Sequence, residues 1–166
     1  MAECSKSMIE SWYHILYTFL FAMTPIAELR GSIPLAISVF RLPVAYAFIA
    51  SVLGNLVPVI PILLGLEWLT RLLEKHWKFG RQLLEKILNR SKKHSDIVRK
   101  YGFWGLIILV AIPLPGTGAW TGSFIAFLLG LDRRCAFMAI AWGVLIAGVI
   151  VTLATLGIIG VVRVTG

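Results

Sequence analysis

Apolar positions along the 166-residue chain follow one order, and that order occurs twice. A short run of about a dozen residues at 12–23 is followed by a polar break at 24–34. A second short run at 35–40 closes with "RLP", and an uninterrupted apolar stretch fills 44–66. After a charged interval at 67–101 come the short run "FWGLIILVAI", the break "PLPGTGAWTG", the short run "SFIAFLLGL" and the corner "DRR". A long apolar stretch at 135–162 then completes the second round. At ~1.5 Å per helical residue the two long stretches can cross a ~30 Å hydrocarbon core, and each short run covers roughly half of it. The pattern predicts an all-α integral membrane protein with a single membrane domain: repeat 1 at 12–66, a connector at 67–101 and repeat 2 at 102–162.

Sliding the chain by 91 residues sets Gly31 and Ser32 on Gly122 and Ser123, Phe40 on Leu131, Arg41 on Asp132, Ala45 on Ala136 and Tyr46 on Phe137. Interrupted hydrophobic segments at matching places in two halves are a sequence pointer to a transporter binding site. Two topologies fit. In one, each short–break–short unit is a re-entrant helical hairpin and only 44–66 and 135–162 cross. The halves then form inverted repeats whose hairpins meet near the midplane. In the other, 12–40 and 102–131 each cross as a broken helix, giving four spans. The half-span runs favour the hairpins, because irregular backbone at that depth is tolerated only where protein buries it or a wet cavity adjoins it.

Composition sharpens the class. The chain is 58% hydrophobic and 14% charged, against roughly 25% charged in soluble domains. Fourteen of its 24 charged residues lie between Glu67 and Tyr101, ten of them Lys or Arg. That excess assigns 67–101 to the cytoplasmic side of a multi-pass protein, and it explains the net charge of +8 without nucleic acid. Within it, Leu69, Leu72, Leu73, Leu83, Leu84, Ile87 and Leu88 recur at helical spacing against charges. They predict an amphipathic helix on the membrane surface or on the protein, loosened at Gly80. Cys4 and Cys135 lack metal or redox spacing, and His14, His76 and His94 do not cluster, so neither metal nor cofactor is expected. No small-residue cleavage site follows the first apolar run, so no removed signal peptide is expected.

The first break, within "MTPIAELRGSIPLAIS", holds Glu28 and Arg30 beside Gly31 and between Pro25 and Pro34. A charge at membrane depth costs a few kcal/mol or more and marks a substrate or ion pathway. On a helix, residues two apart point about 200° from each other, whereas in extended backbone they share a side. The two prolines argue for the second geometry. A hairpin tip would then present a carboxylate and a guanidinium together. Glu28 would exchange protons, because desolvation favours a neutral carboxyl group. Arg30 would hold an anion such as a phosphate in its planar fork. The competing reading is a structural ion pair that pins the hairpin. A buried pair is costly and seldom gains stability, which favours function.

The second break contains Pro113, Pro115, Gly116, Thr117, Gly118, Trp120, Thr121 and Gly122. Glycines can open successive N–H groups into an anion-binding nest before a helix N-terminus, with Thr117 and Thr121 as further donors. Equally, they can let one segment approach another closely. Trp120 reads as packing ahead of a substrate platform. Asn55, with Pro58 and Pro61, marks a kinked span and is either a site lining or packing polarity. Ala139, Gly143 and Ala147 recur every four residues, a small-residue stripe whose partner lies within the chain or in a second copy of a homodimer.

Pro25, Glu28, Arg30, Gly31 and Pro34 in "PIAELRGSIP", paired with "PLPGTGAWTG", resemble the small multi-drug export protein family of prokaryotes over nearly the whole chain. That family is in turn similar, more distantly, to the DedA/VTT membrane proteins, for which paired inverted re-entrant hairpins are proposed. The wider resemblance implies a prokaryotic cell-membrane protein that moves lipids such as polyprenyl phosphate, or confers proton-dependent drug tolerance. DedA proteins place an acidic residue in the first hairpin and an arginine in the second. Here Glu28 and Arg30 share the first, and the second break carries no charge.

The function expected is a membrane transporter: proton-coupled export or translocation of a small or lipid-linked amphipathic, anionic substrate. The alternative is a lipid or polyprenyl-phosphate translocase or scramblase without proton coupling. An intramembrane enzyme is disfavoured, since no Ser–His or Asp pairing lies in the apolar body. An adaptor subunit has no need of both charges at depth. Its partners would be membrane lipids, protons and the cargo.

Overall fold

The computed structural model describes residues 2–65, 68, 95–114 and 117–165. Every regular element among them is helical. The amphipathic helix expected at 67–90 lies outside the described residues apart from Trp68, as do Pro115 and Gly116. In chain order the helices are α1 (Ala2–Ala22), α2 (Glu28–Pro34), α3 (Val44–Leu56), α4 (Ser95–Ala111), α5 (Ala119–Leu128) and α6 (Arg133–Thr165). A turn at 57–58 separates α3 from a further helical stretch at 59–65, where Pro58 and Pro61 cannot donate backbone hydrogen bonds. Val44–Gly65 and Arg133–Val162 are long and apolar enough to cross a membrane. The chain divides into two compact units, Met1–Val57 with Val144–Gly166, and Pro58–Gly143.

In the first unit, α1 packs against α2 and α3. The chain turns at 23–27 and comes back along α1. His14 and Phe40 stack with ring centroids 4.5 Å apart, and Tyr17 meets Phe40 edge-on at 5.6 Å. Residue 40 has therefore returned to the level of residue 14. Pro34 does not end the second arm. It is the last residue of α2, and the missing N–H is accommodated by a π-turn at Leu35–Val39, closed by Phe40 N–H donating to the Leu35 carbonyl at 3.2 Å. The arm ends at Arg41, whose φ of 52° is left-handed. Ala36, Leu42 and Ala47 are buried there against Ile15, Ile37 and Phe40.

α3 meets this hairpin with small residues. Ala47, Ala50, Ser51 and Gly54 are all buried, and a Cβ at Gly54 would run into the backbone carbonyl of Phe19 and lie 3.0 Å from the Ala22 Cβ. The later part of α6 belongs to the same unit and brings Gly148 against Phe48 and Val52 of α3.

The second unit is also built around a pair of packed helices. α4 packs against α5, and a Cβ at Gly122 would lie 2.6 Å from Val110. The first turns of α6 present Ala136, Ala139 and Gly143, all buried, and a Cβ at Gly143 would lie 2.6 Å from Val110 and 3.0 Å from the Ile107 carbonyl. At Gly143, then, the small-residue stripe is answered within the chain. α5 ends in a Schellman motif: Leu131 N–H donates to Ala126, Gly130 N–H donates to Phe127, and Gly130 takes φ 65°. Asp132 then caps α6 by accepting the Arg134 N–H at 3.2 Å.

Small residues also recur between the two units at a second spacing. Gly31–Ser32 and Gly122–Ser123 correspond at 91 positions, but Ala47, Ala50 and Gly54 stand to Ala136, Ala139 and Gly143 at 89.

Candidate functional site

The turn that reverses the first hairpin is tied by Thr24. Its hydroxyl donates to the Phe21 carbonyl at 2.8 Å and accepts the Ala27 N–H at 3.4 Å, while Glu28 N–H donates to the Thr24 carbonyl at 3.2 Å. Pro25 and Ile26 are exposed at the tip. Glu28 follows with φ 42°, a left-handed conformation unusual for a residue with a Cβ and costing of order 1–3 kcal/mol. That bend resolves the geometry of the pair. Extended backbone was expected at 28–30; instead α2 begins at Glu28, and the left-handed residue at its start swings the carboxylate toward Arg30. Glu28 Oε2 and Arg30 Nη2 are 3.7 Å apart, an ion-pair distance beyond hydrogen-bond range for those two atoms. Glu28 is 7% exposed, while the Arg30 side chain keeps 27%. Gly31 behind them admits Phe21 and Ala27, which a Cβ would approach to 3.4 and 3.3 Å.

Ser32 on α2, and Ser51 and Asn55 on α3, are among the further polar residues buried in the same unit. Asn55 was expected from the sequence; the two serines were not. Beside the hairpin's base lies an open apolar groove of ≈ 530 Å³ lined by Tyr13, His14, Tyr17, Leu35 and Phe40. Tyr13 and Tyr17 are one helical turn apart, a legible signal, but their partner Phe40 arrives only because the arm returns.

The second break is organised differently. The Thr117 hydroxyl donates within the loop, to the carbonyls of Ile112 at 2.8 Å and Leu114 at 3.0 Å, and accepts the Leu114 N–H at 3.2 Å. Its single hydrogen is committed to the loop's own carbonyls, so it is not offered to an anion. Pro113 is half-buried, Gly118 is a buried, extended N-cap of α5, and Trp120 and Thr121 are half-buried. Gly122 is packed closely against Val110. Among the described residues no group of His, Cys, Asp and Glu could hold a metal ion.

The sequence model of a family described as "Putative small multi-drug export protein" matches residues 28–150, beginning at Glu28 itself. The chain belongs to this small multi-drug export family. No curated protein and no solved structure matches it. Membership together with two apolar spans makes this a membrane protein. Its family segment takes in the charged pair, α2 to α5 and much of α6, but not α1.

Proposed function

We propose that this small multi-drug export protein is a proton-coupled exporter of amphipathic anionic molecules, with Glu28 as the proton-carrying group and Arg30 as the anion-binding one. The observation that carries the reading is the left-handed Glu28. A buried carboxylate held 3.7 Å from a guanidinium by a strained backbone is more than an ion pair needs, and such strain clusters at functional sites. Arg30 remains accessible enough to meet a ligand. In this reading each hairpin is re-entrant, the two halves are inverted repeats, and residues 67–101 are cytoplasmic. No covalent chemistry is involved, and the partners are lipid, protons and cargo.

The groove of Tyr13, Tyr17, Leu35 and Phe40 favours a second reading. An apolar chain lying there while an anionic head meets Arg30 would suit a lipid-linked substrate, moved without proton coupling. Proteoliposomes loaded with a panel of amphipathic anions and polyprenyl phosphates, assayed with and without a pH gradient, separate the two. Gradient-driven accumulation is the expected result. Equilibration of lipid that ignores the gradient would establish the second reading and remove the first.

A further inference from the structure

Among the described residues, the buried hydroxyls follow one habit, with two exceptions. Thr18, Ser123, Thr152 and Thr155 each donate to the carbonyl four residues back, all at 2.7 Å. Ser32 and Ser51, both 0% exposed, do not; their Oγ atoms have no protein partner, and neither has Oδ1 of Asn55 at 1% exposure. The contrast is sharpest between the repeats, because Ser123 is the counterpart of Ser32 and is satisfied. Leaving a buried polar atom unbonded is costly, more so with no bulk water at hand. Ser51 and Asn55 lie one turn apart on α3, Ser32 lies one turn beyond Glu28 on α2, and α2 packs against α3.

We infer that Ser32, Ser51 and Asn55 form an internal hydration site, occupied by ordered water that exchanges protons with Glu28. A buried water typically makes about three hydrogen bonds, and it can donate to the acceptor-only Asn55 oxygen while serving both hydroxyls. A monovalent cation fits the oxygens less well, because the negative charge that would hold it is already answered by Arg30 at 3.7 Å. In the exchange, the protonated carboxyl passes its proton to a water lone pair while that water releases one of its own hydrogens to the next water. Glu28 is left as carboxylate, and the hydrogens of the chain are conserved. The inference rests on Glu28 being the proton carrier.

Its test uses the purified full-length protein in nanodiscs. Where water bridges these groups, Ser32→Ala, Ser51→Ala and Asn55→Leu each lower the melting temperature. In a dry site, Ser32→Ala and Ser51→Ala raise it by deleting an unbonded hydroxyl, which overturns the inference. A melting temperature raised by sodium over choline chloride, and only while Asn55 is present, would assign a cation and also overturn it. Hydrogen–deuterium exchange at the Glu28 carboxyl is followed by the infrared band absent from Glu28→Gln. It is expected to slow about tenfold or more in Ser51→Ala; an unchanged rate there removes the proton exchange. If the intact protein shows no such band at any pH, the carrier role of Glu28 fails, while the melting data still decide the hydration.

Discussion

Gly54 lies against Phe19 so closely that a methyl group on it would collide with the Phe19 carbonyl oxygen. The first hairpin is seated on α3 through this contact, backbone to backbone, with no side chain able to step aside. Gly54→Ala should therefore destabilise the protein by about 1–3 kcal/mol, the range for overpacking a tight interior. Gly157→Ala, where nothing lies within 4 Å, should be neutral or slightly stabilising. Thermal unfolding in detergent compares them, and equal melting temperatures would show that the hairpin is not held this way.

Glu28 at φ 42° gives a second, sharper expectation. Glu28→Ala and Glu28→Gly both delete the carboxylate and differ only in backbone freedom. In an ordinary helix alanine is the better residue by about 1 kcal/mol. Here glycine should be better by about 1–2 kcal/mol, because the left-handed conformation penalises a Cβ. Arg41→Gly, at φ 52°, should gain similarly, since Gly130 already fills the equivalent turn of the second hairpin. Denaturation of the three variants decides the sign.

The alternation of half-length and full-length apolar runs made the helices legible, and the two long runs appear as the two apolar spans. Glu28 and Arg30 were legible as a pair because few charges fall outside the connector. Their geometry was not. Side-chain periods of helix and strand offered only those two answers, and a single left-handed residue supplies a third. The π-turn after Pro34 was equally hidden, since a proline signals a lost hydrogen bond without saying how the chain absorbs it. The burial of Ser51 was not legible, because a serine in an apolar run usually bonds its own helix, as Ser123 does.

The return of Phe40 to His14 makes a topological prediction. Single cysteines near Glu10 and at Arg41, in a background lacking Cys4 and Cys135, should label from the same face of the membrane. Cysteines at Glu10 and Arg41 that label from opposite faces would establish the broken-span topology instead.

Arg30→Lys tests what the guanidinium does. A planar fork offers two parallel donors to a phosphate or carboxylate, which an ammonium cannot match. Lysine should keep the protein folded and weaken transport of anionic cargo by about tenfold or more, a loss of one charge-assisted bond of about 1.5 kcal/mol or above. Transport at the original rate would reduce Arg30 to a counter-charge.

Glu28→Gln separates coupling from architecture. Glutamine keeps the length and hydrogen-bonding capacity of the protonated carboxyl but cannot release a proton. When an anion occupies Arg30, the guanidinium's hold on the carboxylate weakens and Glu28 should take up a proton. When the anion departs, Arg30 is again available to the carboxylate and the proton is released. Under the proposed function, cargo and proton would then enter and leave together, or in alternation if the two compete for the site, and in either scheme the gradient would act through this one group. Glu28→Gln should accordingly bind cargo with little change while its flux ignores an imposed pH gradient. The comparison is made in proteoliposomes, with binding measured separately by equilibrium methods on the same preparation. Flux in Glu28→Gln that still follows the gradient would place coupling elsewhere and leave Glu28 and Arg30 as the pin that holds the hairpin's tip.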